Sequence, residues 1–210
     1  MFQPQMFHET RPEVMHDLMR AHPFAALVTD ALGQITADHV PLVLHPKAGE
    51  YGALHGHIAH GNPLFRITTG PISAMAIFQG PQGYVTPSWY PSKREHGKVV
   101  PTWNYVIVHA RGILRFQQDP DWLMQHLHDL THAHESHRPV PWQVSDAPAE
   151  FMQRQLRGLV GFELTITELS GVWKVSQNKT EADLAGVRDG LNAEGRADLS
   201  QLVADRARDQ

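Results

Sequence analysis

Apolar runs of strand length recur along much of this chain and are separated by short turn sequences. The pattern predicts strands at 24–29, 35–44, 51–59, 72–78 and 103–116, and a closing hairpin at 160–169 and 172–176. Strands therefore outnumber helices, and the last hairpin must return to a sheet that begins far upstream. A barrel that closes its own edges is the economical architecture for such an order.

Short turn sequences connect the predicted strands. Asp30-Ala31-Leu32-Gly33 and Lys47-Ala48-Gly49-Glu50 join the first three, and such tight connections predict an antiparallel meander. We expect Gly80-Pro81-Gln82-Gly83 to turn the chain after the fourth strand, and Ser170-Gly171 to turn the closing hairpin. The span from Trp89 to Thr102 is rich in Pro, Ser, Lys and Gly, which indicates an ordered loop.

Helix signals stand before and between these strands. Thr10-Arg11-Pro12-Glu13 has the pattern of a capping box, and His22-Pro23 ends the helix that follows. Asn62, with Pro63 after it, is a good N-cap for a short helix.

Two further helices are expected late in the chain, at about 119–137 and 147–157. Apolar residues at helical spacing define their buried faces, which are Leu123, Leu127 and Leu130 in the first helix and Phe151, Met152 and Leu156 in the second. We expect a single domain over residues 1–191. The chain after Asn178 is expected to be polar, helix-prone and frayed, and residues 192–210 to form a polar C-terminal tail.

The composition is that of an ordinary globular protein. Of the 210 residues, 41% are hydrophobic and 19% are charged, which excludes a disordered chain. A formal net charge of -4 argues against a surface that neutralises many DNA phosphates. Cysteine is absent, so disulfides, thiol nucleophiles and Cys-ligated metals are excluded. Neither a signal-peptide pattern nor an apolar run of roughly 18 to 20 residues is present, and we expect a cytoplasmic location without membrane contact.

Several motifs together resemble the FMN-binding split β-barrels. Three of them occur at the spacing of that group, namely 37–42 (ADHVPL), 56–63 (GHIAHGNP) and 76–81 (AIFQGP). Three more narrow the resemblance to the PaiB-like family, namely 88–93 (SWYPSK), 98–105 (KVVPTWNY) and 173–178 (WKVSQN). The resemblance extends from Met1 to about Leu191. It implies an α+β fold, mainly β, in which an antiparallel Greek-key-like split barrel carries flanking helices.

The same resemblance implies a cofactor, a partner and a function. FMN is the expected cofactor, held at the interface of a homodimer, and the Trp89 to Thr102 loop is the candidate for crossing it. Members of the PaiB-like family are also called protease synthase and sporulation negative regulators, so a negative transcriptional regulator is expected. No helix-turn-helix is visible in the sequence, and Lys93, Arg94 and Lys98 form a small basic cluster. Direct DNA contact therefore remains open.

An FMN site needs an anion cradle beside an apolar wall. Backbone amides near Gly61 and Asn62 could receive phosphate oxygens at a helix start, although Asn62 and Pro63 could simply begin that helix. Lys174 and Ser176 would share one face of a strand, and with Gln177 they offer a cation, a hydroxyl and an amide. A solvated hairpin edge is the alternative for this late segment, to which the resemblance gives contact with the flavin.

The remaining candidates for the flavin site lie on predicted strands. His39 and His57 could hydrogen-bond the flavin ring or ribityl chain, or each could have a structural role. Trp103 could pack on the isoalloxazine, on the partner subunit or in the core. The neighbouring residues that belong to the same predicted site are Val40, Ile58 and Ala59.

The chain contains 15 histidines, which raises the question of a metal. His128 and His132 are four apart on a predicted helix, a spacing that can bind zinc, and His134 and His137 follow. The Glu of a metalloprotease helix is missing between the pair, and no metal site is predicted.

Two alternatives to a regulator remain. An FMN-dependent oxidoreductase acting on a small molecule fits the wider split-barrel group, since FMN itself supplies hydride and one-electron chemistry. His39 and Tyr105 are candidates for a proton donor, but no catalytic residue is assigned. A haem-binding split barrel ranks below both.

Overall fold

The computed structural model describes residues 1–31 and 33–208, which form a mixed fold around one eight-stranded antiparallel sheet. The strands are β1 (His8–Glu9), β2 (Phe24–Ala31), β3 (Gln34–Pro41), β4 (Val43–His45), β5 (Ala53–Ala59), β6 (Ile72–Val85), β7 (Thr102–Gln117) and β8 (Leu159–Lys174). The helices are α1 (Pro12–Ala21), α2 (Pro63–Ile67), α3 (Ser92–His96), α4 (Pro120–Glu135), α5 (Ala149–Leu156), α6 (Glu181–Ala193) and α7 (Ala197–Arg208). The predicted α+β class is confirmed.

The strand order in the sheet is β3-β2-β6-β7-β8-β5-β4, and β1 pairs with β8 outside this path. The chain divides into two compact units. The central unit comprises 12–78 and 109–169, and the terminal unit comprises 1–11, 79–108 and the chain from Ser170 onward.

The first β-hairpin of the central unit confirms one predicted connection and corrects the meander. Strand β2 pairs with β3 from Phe24 opposite Pro41 to Ala31 opposite Gln34; Leu32, in the predicted turn, lies outside the described residues. The predicted strand 35–44 breaks at Leu42, and its last part becomes β4, which pairs with β5. Pro41 has no N–H to continue a ladder, and the Leu42 N–H donates instead to the Pro23 carbonyl at 2.9 Å.

Two predicted turns are replaced by continuous strand. Strand β6 runs through Gly80-Pro81, which lies outside the ladder with β2 over Ala74 to Ile77, so the missing proline N–H costs no bond to β2. Strand β8 runs through Ser170-Gly171, because Glu9 of β1 pairs with Gly171 and holds this stretch extended. The predicted closing hairpin is therefore wrong.

The predicted early helices are present. Helix α1 begins at Pro12, but the N–H groups of Thr10 and Arg11 both donate to the Glu9 carboxylate at 3.0 Å, in place of the expected capping box. Helix α2 follows Asn62, whose side chain accepts the Leu64 N–H as an N-cap should.

The two later helices lie within the predicted bounds. Helix α4 is capped by Asp119 and buries Leu123 and His126. Helix α5 buries none of its residues, and Phe151, predicted to face the core, is 44% exposed.

The terminal unit contains a helix where a loop was expected, and its helix-prone end forms an ordered helix. The predicted Trp89 to Thr102 loop includes α3, and its Ser92 hydroxyl donates to Asp183 of α6 at 2.8 Å, with both residues buried. Beyond residue 191, the expected frayed tail is helix α7, which buries Leu199 and Val203. The single-domain boundary at 191 stays a prediction.

Close backbone approach explains two glycines of α6. A Cβ on Gly186 would lie 2.0 Å from the Trp89 carbonyl oxygen, and one on Gly190 would lie 2.2 Å from the Trp89 ring. Glycine at these positions lets Trp89 pack directly against the helix backbone.

Each unit has its own apolar core. In the central unit it includes Leu27, Leu54, Phe78, Leu114 and Phe162, all fully buried. In the terminal unit it includes Val85, Val106, Val175, Val187 and Leu199. Within the described part of the chain, we find no helix with the length and apolar character needed to span a bilayer.

Candidate functional site

The residues predicted to bind FMN fall into one group in each unit. The terminal group consists of Trp103, Lys174, Ser176 and Gln177. The central group consists of His39, Val40, His57, Ile58, Ala59, Gly61 and Asn62. Their contact with FMN stays a prediction, and the surroundings of each group decide what it can offer a flavin.

Lys174 ends strand β8 with its ammonium group held against β7. Its Nζ donates to the Thr102 hydroxyl at 2.9 Å and lies 6.0 Å from the centre of the Tyr105 ring. Within the described residues, no carboxylate lies within salt-bridge distance of this ammonium. The half-buried cation and the hydroxyl beside it are the kind of pair that receives phosphate oxygens.

Ser176 lies just beyond the end of strand β8, where the sequence had predicted continued strand. Strand β8 ends at Lys174, and Ser176 has a φ of 67°, the left-handed conformation that non-glycine residues rarely adopt. Its hydroxyl donates to the Asn104 Oδ1 at 3.0 Å, and both side chains are buried. Among the described residues the Asn104 Nδ2 has no partner, which leaves a buried amide donor unsatisfied.

Gln177 fixes the turn that follows β8. Its Oε1 accepts the Val175 N–H at 2.8 Å, and its Nε2 donates to the carbonyls of Trp173 and Met6. These bonds give Gln177 a structural role that holds Ser176 in its left-handed turn.

Trp103 lies on the outer face of β7. The indole is 48% exposed, its N–H donates to the Gln82 Oε1 at 2.6 Å, and its ring meets Tyr84 edge-on at 6.2 Å. Tyr84 is itself 50% exposed. The structure therefore excludes a core position for Trp103 and leaves a flat aromatic surface beside polar groups.

The Gly61-Asn62 turn of the central unit has mixed properties as a phosphate cradle. The Asn62 Nδ2 donates to the Asp38 carboxylate at 2.9 Å, which places a negative charge where an anion was expected. The Arg66 guanidinium, however, lies 3.8 Å from the position of a Cβ on Gly61. Sequence reasoning did not single out Arg66, although it stands four residues after the cap, one turn along α2.

The two strand histidines of the central group differ in environment. His39 is exposed on β3 beside Phe24, at 6.1 Å between ring centres. His57 is half-buried on β5, and its Nδ1 lies 3.0 Å from the Nε2 of His126. Of the flanking residues, Val40 and Ile58 are buried while Ala59 is exposed.

His57 belongs to a cluster of imidazoles that sequence reasoning missed. His45 and His55 stack at 3.9 Å between ring centres, and the His55 Nε2 lies 3.1 Å from the Glu163 carboxylate. From helix α4, His126 stacks on Trp122 and is 1% exposed. We call these four histidines the imidazole cluster; the i, i+2 spacing of His55 and His57 on β5 was its only sequence signal.

Burial dominates the acid–base properties of the imidazole cluster. Desolvation, followed by the nearby charges of His57, His55 and His45, lowers the pKa of His126 to about 3. Burial also lowers the pKa of His57 and, despite the nearby Glu163, that of His55. His55, His57 and His126 are therefore neutral at pH 7. His128, singled out for metal binding, is exposed on α4, and the described residues hold no group of three or more potential ligands around a metal position.

FMN can be tested against these groups by its chemistry. Its phosphate needs cations and donors, its ribityl chain needs polar partners and its ring needs a flat apolar surface. The terminal group supplies Lys174 and the exposed Trp103, and the adjacent residues supply the Thr102 hydroxyl and the unsatisfied Asn104 amide. Separately, beside the central group, the Arg66 side chain offers a cation. These donors and the exposed indole fit the chemistry of FMN. Bound FMN would supply redox chemistry that none of these side chains provides.

Comparison with solved structures places the fold among flavin-binding proteins. The FAD and haem binding protein from Mycobacterium smegmatis superimposes with a TM-score of 0.61 at 18% identity, covering 85% of this chain and 78% of that one. The flavocytochrome Anf3 from Azotobacter vinelandii gives a TM-score of 0.54 at 15% identity, covering 85% and 75%. The predicted split-barrel fold is confirmed.

Sequence comparison gives the family. The protease synthase and sporulation protein PAI 2 of Bacillus subtilis is 31% identical over 203 residues, covering 97% of this chain and 95% of its own. An uncharacterised protein of Emericella nidulans, AN0679, is 30% identical and covers 96% and 94%. The model of the family described as "Putative FMN-binding domain" matches residues 1–168. This chain therefore belongs to the PaiB-like family of FMN-binding proteins, and FMN is its cofactor.

Proposed function

We propose that this protein is an FMN-dependent negative regulator of gene expression that acts through the state of its flavin and a protein partner. One observation carries the proposal: the similarity to PAI 2, a protein named for protease synthesis and sporulation, extends over nearly the full length of both chains. The aligned region therefore extends beyond residues 1–168, which match the flavin-binding family, into the segment that contains α6 and α7.

The exposed face of helix α7 favours a protein partner over direct DNA contact. Helices α6 and α7 are joined by three residues, as in a helix-turn-helix, but the exposed face of α7 carries Asp198, Gln201 and Asp205. The Arg206 guanidinium is engaged by the buried Glu9 carboxylate at 2.8 Å. Two carboxylates on the exposed face make α7 poorly suited to phosphate contacts in the major groove.

We further propose that the protein is a cytoplasmic homodimer with its flavin at the dimer interface, and that Lys174 and Thr102 contact the FMN phosphate. The part-buried ammonium and the exposed aromatic pair Trp103 and Tyr84 support this assignment. Light scattering on the FMN-saturated protein should give twice the chain mass of 23.6 kDa. A monomer that still binds FMN would refute the interface proposal while leaving the cofactor intact.

The regulatory proposal is tested by comparing transcripts in three strains of the source organism. One has the wild-type gene, one lacks it, and one produces Lys174→Ala at the wild-type protein level. We expect the same transcripts to rise in the last two strains. Unchanged transcripts in the deletion strain would refute the regulator, and full repression by a flavin-free Lys174→Ala protein would refute its dependence on FMN.

A second function, an FMN-dependent oxidoreductase, is favoured by the exposed Trp103 and Tyr84. Rings exposed by about half can stack with a planar electron donor or substrate beside a bound flavin. Under anaerobic conditions this function predicts rapid bleaching of the bound flavin by a reduced nicotinamide or deazaflavin. Flavin that stays oxidised with both donors would exclude it.

A further inference from the structure

Helix α5 covers a cavity in the central unit that its own apolar side chains do not fill. The cavity has a volume of about 400 Å³, and its walls include Leu123 of α4, Leu156 of α5 and Leu159 of β8. Although Met152 and Leu156 stand on one face of α5, neither is fully buried. An amphipathic helix that buries none of its residues leaves apolar area available to a ligand.

The polar side chains at this cavity can all donate hydrogen bonds, and one of them is cationic. Arg157 follows α5 at the rim, and the side-chain amides of Gln118 and Gln153 line the same space. The Arg157 guanidinium has no carboxylate within salt-bridge distance in the described part of the chain. Helix α4 begins at Pro120 on the wall, and its N-terminus is already capped by Asp119.

None of the residues that line the cavity is acidic. Besides Arg157, the one titratable side chain among them is that of His60. The backbone N–H of His60 donates to the Gly158 carbonyl at 2.8 Å, and this bond fixes the end of β5 next to the start of β8. The cavity is thus held by backbone bonds, has a leucine-rich wall and carries one unpaired guanidinium.

From this arrangement we infer that the cavity binds a small molecule with an apolar aromatic or branched body and a single carboxylate. The leucines bury the body, and the carboxylate accepts paired hydrogen bonds from Arg157. FMN does not fit this description, because its phosphate is doubly charged and its ribityl chain is polar. The site is therefore additional to the flavin site and independent of the proposed regulatory function.

Calorimetric titration of the FMN-saturated protein tests the inference with two matched probes, 2-naphthoate and its neutral amide, 2-naphthamide. We expect 2-naphthoate to bind once per chain and at least about tenfold more tightly than 2-naphthamide, as one charge-assisted hydrogen-bond pair provides. Arg157→Gln should remove this preference. Arg154→Gln, which changes an exposed arginine of α5 that does not line the cavity, should keep it.

Other outcomes would overturn the proposal. These are no binding of 2-naphthoate, equal affinity for the two probes, or an unchanged preference in Arg157→Gln. If flavin-free protein binds 2-naphthoate and FMN-saturated protein does not, the cavity belongs to the flavin site and the separate-site proposal is wrong. Should Arg157→Gln fail to fold by circular dichroism, Arg157→Lys serves instead and should retain part of the preference.

Discussion

The buried imidazole of His126 should make the protein sensitive to mild acid. The pKa of His126 is about 3 in the folded protein and 6.5 in an unfolded chain. Between these two pH values the unfolded state therefore binds a proton at His126 that the folded state does not bind. Above pH 6.5 His126 is neutral in both states, and its contribution to the unfolding free energy is fully retained. As the pH falls from 6.5 toward 3, protonation of His126 in the unfolded state lowers the unfolding free energy. Acidification therefore destabilises the folded state.

The size of the effect follows from the difference between the two pKa values. Between about pH 7.5 and pH 5, proton uptake by the unfolded His126 removes about 2 kcal/mol of unfolding free energy. His57 and His55, whose pKa values are also lowered, act in the same direction. For a chain of this length, the His126 contribution alone lowers Tm by roughly 4 to 8 °C.

The contribution of His126 to this loss of stability is measured by urea unfolding at the two pH values. The proteins compared are the wild type, His126→Gln and His128→Gln. Glutamine can still hydrogen-bond His57 but does not titrate, so His126→Gln should lose about 2 kcal/mol less on acidification than the wild type. His128 is exposed on the same helix, and its variant should behave as the wild type does. An equal acid loss in wild type and His126→Gln would refute the reasoning.

Two substitutions test other parts of the account. Lys174→Ala should weaken FMN binding at least about tenfold because it removes a charge-assisted phosphate contact, whereas the exposed Lys47→Ala should not; equal dissociation constants in a fluorescence titration would contradict this. Gly190→Ala drives a methyl group into the Trp89 ring and should lower the unfolding free energy by about 1 to 3 kcal/mol in urea, while Gly70→Ala, with open space around its Cα, should change it little. A neutral Gly190→Ala would show that Trp89 does not pack against α6.

Most strands were predictable because apolar runs are local signals, but the continuation of two strands through turn-like residues was not. Gly80-Pro81 and Ser170-Gly171 have turn chemistry, yet both lie within strands. For the second pair, the cause is Glu9, which binds Gly171 from a distant part of the chain. Pairing with a distant strand outweighs the local preference for a turn. The local sequence does not reveal which strand that will be.

The imidazole cluster was missed for a similar reason. Periodicity on α4 favoured Leu127 and Leu130 for the buried face, since histidine counts as polar, but the fully buried ring is His126. Its position depends on His57, 69 residues earlier in the chain. The apolar residues of α7 were also overlooked, because Leu199 and Val203 are a thin signal in a polar segment.

The cofactor residues were predictable in type and less so in detail. The motif around 173–178 correctly directed attention to Lys174, whose ammonium is positioned against Thr102. It did not reveal that Ser176 adopts a left-handed conformation and binds the buried Asn104. Nor did it reveal Arg66, because the close approach of that side chain to Gly61 depends on the path of the turn before α2.

The central claim is that this chain holds FMN, and a titration of the flavin-free protein with FMN tests it most directly. Quenching of flavin fluorescence should saturate at one FMN per chain, and Tm should rise with FMN concentration, because a ligand that binds the folded state stabilises it. A flavin signal that stays that of free FMN, with an unchanged Tm, would contradict the account.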